Sequence, residues 1–108
     1  MLQQTTFKAN DVITVKLVSG EEVIGYFVES NADGVTLRKP LVPVDAGQGQ
    51  MALAPFLMTG NYMRAGTNLT FNRVAVVTQD HTVEQIADAY AQQVSGLAQA
   101  PKKPGLIT

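Results

Sequence analysis

Residues 15–37 read VKLVSGEEVIGYFVESNADGVTL, and the two glycines within the first part of this stretch decide which fold the sequence predicts. Ser19-Gly20 separates two β-branched runs and predicts a tight turn between two strands. Apolar side chains occupy both faces of the second run, which is typical of a strand buried on both sides or wrapped around a small core. Gly25, in the middle of that run, favours a tight bend, because glycine weakens a flat strand.

Three further apolar segments continue the pattern outward from this hairpin. Together with it they predict five strands, over residues 11–18, 21–30, 35–44, 51–60 and 69–78, and a loop over 61–68. Pro40 and Pro43 predict an edge position or a bulge in the third strand, since proline donates no ladder hydrogen bond. Asn72-Arg73 interrupts the apolar run of the fifth strand and predicts a bend there.

The pattern changes after residue 80. Ile86, Tyr90 and Val94 recur at helical spacing, and Thr82 with Gln85 has the spacing of a capping box at the helix start. We therefore expect one domain, with a lead-in over 1–10, a barrel over 11–79, a C-terminal helix over 80–99 and a flexible tail over 100–108. The predicted fold class is mainly β: a small, strongly bent, five-stranded barrel with a C-terminal α-helix.

The composition of the 108 residues favours self-association. Hydrophobic residues make up 45% of the chain and charged residues only 16%, and a small domain with this balance often covers its apolar excess by oligomerising. The formal net charge of −1 indicates no overall basic surface for nucleic acid. The chain has no cysteine, no signal-peptide pattern and no apolar run of membrane-spanning length, so a cytoplasmic protein without membrane contact is expected.

The hydrophobic and glycine positions of the opening stretch resemble the first motif of the Sm and Sm-like (LSm) proteins. That motif alternates hydrophobic residues around two glycines at fixed spacing and then reaches an acidic position. The residues that carry the resemblance are Val15, Leu17, Gly20, Val23, Gly25 and Phe27, followed by Asn31 at the acidic position. The chain resembles the divergent kind of Sm-like protein found in bacteriophages. The resemblance implies an SH3-like barrel of five strands.

The resemblance also implies a closed homo-oligomeric ring, in which the fourth strand of one subunit pairs with the fifth strand of the next. Such a heterologous interface leaves no exposed strand edge. The number of subunits stays open. The expected interface residues are Leu53, Phe56, Leu57, Leu69, Phe71, Val74 and Val76.

A second implication of the resemblance is binding of single-stranded RNA or nucleotides near the ring's pore. In the family a Met-Asn pair stacks on a base and reads its edge, as single-stranded RNA recognition commonly requires. Here the corresponding residues are Asp33-Gly34 or Gly34-Val35, and neither pair provides a stacking side chain. The family's Arg-Gly pair corresponds best to Asn72-Arg73. The RNA-binding candidates are therefore Asn31, Asp33, Asn72 and Arg73.

Each candidate also has a plain structural interpretation. Asn31 and Asp33 are common turn residues, and Arg73 could be a surface or interfacial ion-pair partner. The alternative function is accordingly an oligomeric scaffold without RNA binding, which offers the loops around Phe56 and Tyr62, or the C-terminal helix, to protein partners.

We do not expect an enzyme, a cofactor or a metal site. The single histidine, His81, has Asp80 beside it and is expected to flank the helix, and this pair is neither a metal site nor a catalytic triad. Glu21 and Glu22 follow the hairpin turn and point to opposite faces of a strand, which does not suit paired acid–base chemistry. If the chain is phage-encoded, the expected location is the host cytoplasm.

Overall fold

The opening stretch forms the hairpin that the sequence predicts. Strands β1 (Val12–Leu17) and β2 (Glu22–Asn31) pair antiparallel, and Gly20 in the turn has a φ of 100°, a value that glycine adopts at little cost. The structure is a computed structural model that describes residues 6–99. The predicted tail, 100–108, and the first five residues of the lead-in lie outside the described residues.

Four more strand segments complete one antiparallel sheet: β3 (Gly34–Gly47), β4 (Gln50–Pro55), β5 (Leu69–Asn72) and β6 (Val76–His81). The strand order is β4-β3-β2-β1-β6, and β5 pairs with the first part of β3. A single 3-10 turn, Arg73–Ala75, joins β5 to β6. Only three residues therefore separate β5, which pairs with β3, from β6, which pairs with β1. The sheet must curl to bring β3 and β1 this close. The mainly β, bent-barrel prediction is confirmed as a curled antiparallel half-barrel.

Two helices accompany the sheet. The one-turn helix α1 (Tyr62–Ala65) occupies part of the segment predicted as a loop. The C-terminal helix α2 (Glu84–Gln99) begins four residues after residue 80, because β6 continues to His81. Neither helix of residues 6–99 has the length and apolar character needed to cross a bilayer.

The start of α2 differs from the predicted capping box. The Thr82 hydroxyl bonds the Thr14 hydroxyl at 2.8 Å, and the backbone N–H of Thr82 donates to the Val12 carbonyl at 3.1 Å. Thr82 therefore extends the hydrogen bonding between the end of β6 and β1. Helical bonding starts from the Val83 carbonyl, which accepts from Ala87 at 2.9 Å.

The sheet separates two hydrophobic cores. The first lies inside the curl and consists of Ile13, Val15, Leu17, Val23, Phe27, Val35, Leu37 and Phe71. The second lies between the other face of the sheet and α2 and consists of Ile24, Leu41, Leu53, Tyr90 and Val94. Strand β2 supplies residues to both cores, so its apolar character on both faces is explained. Full burial of one such side chain contributes about 1.5–3 kcal/mol, and α2 is held to the sheet mainly in this way.

Gly25 serves a more specific role than the predicted bend. The β2–β3 register shifts beside it, so that Lys39 and Pro40 bulge out of β3 and Lys39 takes a φ of 53°. A Cβ at Gly25 would lie 3.1 Å from Leu37 Cβ and 3.2 Å from Pro40 Cα. The glycine therefore lets β3 approach β2 closely at the bulge. The prediction of a bulge from the prolines of β3 is confirmed.

Candidate functional site

The four RNA-binding candidates come together at one corner of the half-barrel. Asn31 and Asp33 lie in the β2–β3 turn, while Asn72 and Arg73 lie where β5 passes into the 3-10 turn. Gly34 pairs with Asn72 across β3 and β5, and the Arg73 N–H donates to the Asp33 carbonyl at 3.0 Å. We call Asn31, Asp33, Asn72 and Arg73 the polar corner. Residues 40 positions apart in sequence are thereby placed side by side.

Both asparagines of the polar corner use their side-chain carbonyl to hold their own turn. Asn31 Oδ1 accepts from the Asp33 N–H at 2.8 Å, and Asn72 Oδ1 accepts from the Val74 N–H at 2.9 Å. This is the turn role expected from the sequence. Because each amide also has two N–H donors on Nδ2, and both side chains are exposed, the donors are left for solvent or a ligand.

Gly34 is the residue that allows the two segments to meet. A Cβ on Gly34 would lie 2.0 Å from the Phe71 carbonyl oxygen and 3.1 Å from the Arg73 nitrogen, and its φ is 149°. No side chain fits between the turn and β5 at this point. Val35, the next residue, is only 3% exposed and belongs to the first core. Neither alignment of the family's Met-Asn pair therefore places a base-stacking side chain on the surface.

The charges of the polar corner are exposed and are not joined in an ion pair. Across residues 6–99 the ion pairs are Lys16–Glu22 at 3.9 Å and His81–Asp11 at 3.3 Å, so neither Arg73 nor Asp33 belongs to one. The interpretation of Arg73 as an ion-pair partner is thus not met within this part of the chain. The guanidinium, with five N–H donors and a permanent charge, is free to contact an acceptor-rich group.

The seven expected interface residues divide into three groups. Leu53 and Phe71 are 9% and 7% exposed, and each lies in one of the chain's own cores. Three others are partly buried against the first core: Phe56, Leu69 and Val76. Leu57 and Val74 are exposed, by 42% and 78%. Of the seven, only these last two are exposed enough to offer a large apolar surface to a neighbour.

The exposed apolar side chains concentrate at two places, and of their residues the sequence indicated only Leu57 and Val74. Val18, Val74 and Val77, here called the β6 patch, lie on β6 or next to it, since the Val18 N–H donates to the Ala75 carbonyl at 2.8 Å. Met51, Leu57 and Met58, here called the β4 patch, lie on β4 or directly after it. The run VAVV at 74–77 was the available signal, because its lack of alternation leaves apolar side chains on an outer face.

His81 lies at the end of β6 and faces the N-terminal segment, not the helix. Its Nε2 is 3.3 Å from Asp11 Oδ2, and its ring packs edge-on against Phe7 at 4.9 Å between centroids. The Lys8 N–H, which donates to Asp11 Oδ2 at 2.8 Å, and then His81 hold the pKa of Asp11 below its ordinary value. Within residues 6–99 no three acidic or histidine side chains gather into a metal-binding group.

No model of a known protein family matches the chain, and no curated protein matches it in sequence. The polar corner, the two apolar patches and the resemblance of the opening stretch therefore carry the functional argument.

Proposed function

We propose that this protein is a ring-forming Sm-like module of the bacteriophage type that acts in the cytoplasm and is not an enzyme. In this proposal the polar corner binds single-stranded RNA or nucleotides near the pore of the ring. The observation that carries the proposal is the meeting of the Asn31–Asp33 turn with Asn72-Arg73, which places hydrogen-bond donors and a cation together on the surface.

The arrangement of strand edges supports ring formation. β4 and β6 are the two ends of the strand order, and among the described residues each pairs on one side only. Unpaired edges flanked by apolar side chains are prone to pair with another chain. An edge-to-edge contact between β6 of one subunit and β4 of the next would cover both patches, and repetition of that contact closes a ring.

Ring closure would also explain how a chain with little net charge could attract an anionic ligand. A single exposed arginine on a protein of net charge −1 attracts an anion poorly. One Arg73 from each subunit, arranged in a circle, would produce a local positive potential that the total charge of one chain does not reveal.

The test is a titration of labelled U-rich and A-rich RNA oligonucleotides at low salt. Wild type is compared with Arg73→Ala and with Arg64→Ala, a matched control that removes an exposed arginine from α1, outside the polar corner. We expect Arg73→Ala to weaken binding about tenfold, the loss typical of a charge-assisted hydrogen bond, and Arg64→Ala to bind like wild type. Absent binding, or equal losses in the two variants, would contradict the proposal.

A scaffold without RNA binding is the second candidate, and the exposed apolar side chains favour it. Met58 is 77% exposed and Val74 is 78% exposed, which suits a protein-interaction surface. Of the two expected loops, the one around Phe56 exposes Leu57 and Met58. Tyr62 itself is only 4% exposed, and its hydroxyl accepts from the Phe56 N–H and donates to the Pro40 carbonyl. An oligomer that binds neither oligonucleotide would support this second function.

A further inference from the structure

The side chains of the polar corner leave more hydrogen-bond donors than acceptors for a ligand. The carbonyl oxygens of Asn31 and Asn72 each accept one N–H from the backbone, and the Asp33 carbonyl accepts from Arg73. The NH₂ group of each asparagine and the guanidinium of Arg73 remain as donors. The Asp33 carboxylate is the one strong acceptor left. Such a set suits a ligand that presents several acceptors, as a phosphate group does.

A second observation concerns the aromatic rings, all seven of which lie within the described residues. Four are buried: Phe27, Tyr62, Phe71 and Tyr90. The three half-exposed rings pack elsewhere: Phe7 on Phe27 and His81, Tyr26 between Arg38 and Tyr90, and Phe56 on Phe71. Phe71 precedes Asn72 directly, but its ring points into the first core. Among the described residues, therefore, no aromatic ring offers a base-stacking platform at the corner, and the exposed Arg73 guanidinium is the one planar cation left there.

The strand surface next to the corner extends its polar character. Thr36 pairs with Thr70 across β3 and β5, two pairs along the ladder from Gly34 with Asn72, and the two hydroxyls are 2.8 Å apart. Side chains two residues apart share a face of a strand, so Thr70 lies on the same face as Asn72. Hydroxyl and amide groups of this kind commonly contact the sugar–phosphate backbone of nucleic acids.

From these observations we infer that the polar corner recognises the phosphate groups of a single strand and does not read its bases. The inference rests on the proposed function and narrows its ligand class. It predicts binding that is indifferent to base identity and strongly dependent on salt, because phosphate contacts release counterions. The exposed Asp33 carboxylate beside Arg73 then repels a phosphate group and lowers the affinity. If the corner instead bound a base, the carboxylate could accept from a base amino group and raise the affinity, so the effect of removing its charge distinguishes the two kinds of recognition.

The experiment compares four 12-mers in competition with a labelled oligonucleotide: U-rich RNA, A-rich RNA, an abasic strand and inorganic polyphosphate. We expect the first three to agree within about threefold and polyphosphate to compete, with a slope of log affinity against log salt that becomes shallower in Arg73→Ala. Asp33→Asn removes a negative charge without changing the turn's backbone bonds, and should tighten binding of all four. If the carboxylate accepts from a base amino group, the same variant weakens binding instead.

The outcomes distinguish a failure of phosphate recognition from a failure of RNA binding itself. A preference above tenfold between the RNAs, with no competition from the abasic strand, would overturn phosphate recognition and leave RNA binding intact. Weaker binding in Asp33→Asn would do the same. Failure of every 12-mer to bind at low salt overturns the proposed function and this inference with it. Competition within about threefold by the two RNAs and the abasic strand, competition by polyphosphate, and tighter binding in Asp33→Asn support both the proposed function and phosphate recognition.

Discussion

The Tyr90 hydroxyl lies 2.7 Å from the carbonyl oxygen of Lys39, and the same hydroxyl lies 3.1 Å from the Arg38 carbonyl oxygen. Lys39 is the residue with positive φ in the β3 bulge, where the ladder with β2 is interrupted. A bulge leaves backbone groups without a strand partner. Tyr90 supplies that partner from α2, and its fully buried ring fills the second core. The helix is therefore bound to an irregular point of the sheet, the β3 bulge.

Tyr90→Phe should destabilise the protein by about 1–3 kcal/mol, the cost of leaving a buried carbonyl without its donor. The ring and most of its packing are retained, so the loss reports the hydrogen bonds alone. Urea unfolding followed by circular dichroism measures it. Tyr26→Phe is the matched control, because the Tyr26 hydroxyl makes no hydrogen bond among the described residues. Equal losses in the two variants would show that the bulge contact contributes nothing specific.

The free energy of unfolding should fall at alkaline pH. Burial raises the pKa of Tyr90 and of Tyr62 above their ordinary value of 10.0. The folded state keeps both phenols protonated where the unfolded chain has released the protons, so the stabilisation is complete below pH 10 and is lost as the pH rises further. The slope is at most about 1.4 kcal/mol per pH unit for each phenol. Denaturation midpoints from pH 8 to 11 measure it, and Tyr90→Phe should show a shallower decline.

Gly34→Ala should disrupt the polar corner and destabilise the fold by about 3 kcal/mol or more, because the new Cβ collides with the backbone of β5 and the residue's φ is 149°. Gly96→Ala makes the same chemical change in α2, where nothing lies within 4 Å of the new Cβ, and should stabilise by about 0.5–1 kcal/mol. Thermal unfolding of the two variants tests the contrast. A neutral Gly34→Ala would mean that β3 and β5 do not approach as closely as described.

The sequence predicted the parts of this structure that depend on local chemistry. Ser19-Gly20 specifies a turn wherever it occurs between two β-branched runs, and the prolines of β3 mark a bulge for the same local reason. The Asn72-Arg73 break was also visible, because it interrupts an apolar run. The structure adds that a 3-10 turn follows and that β6, after the turn, pairs with β1. That pairing is set by the curl of the whole sheet.

Long-range packing accounts for what the sequence did not predict. Gly25 was interpreted as a bend, but its neighbours are the Leu37 side chain and the Pro40 backbone, which only the folded sheet brings near. Thr82 had the spacing of a helix cap, yet its hydroxyl forms a hydrogen bond with the hydroxyl of Thr14 on β1. For the candidate site, the resemblance of the opening stretch and of Asn72-Arg73 to the Sm-like motifs selected the four polar side chains. Their meeting at one corner depends on Gly34, whose close approach to Phe71 no sequence pattern reveals.

The two apolar patches give the last prediction, which concerns assembly. Val74 is 78% exposed beside β6, so Val74→Asp should leave the isolated subunit folded while placing a charge inside any contact that covers the β6 patch. Burial of an unpaired charge is strongly unfavourable, so we expect light scattering to show a closed oligomer for wild type and a smaller species for Val74→Asp. Val83→Asp, at a similarly exposed valine of 66% before α2, is the matched control and should assemble like wild type. Wild-type protein that remains monomeric at micromolar concentration would contradict the ring, and equal loss of assembly in both variants would place the contact elsewhere.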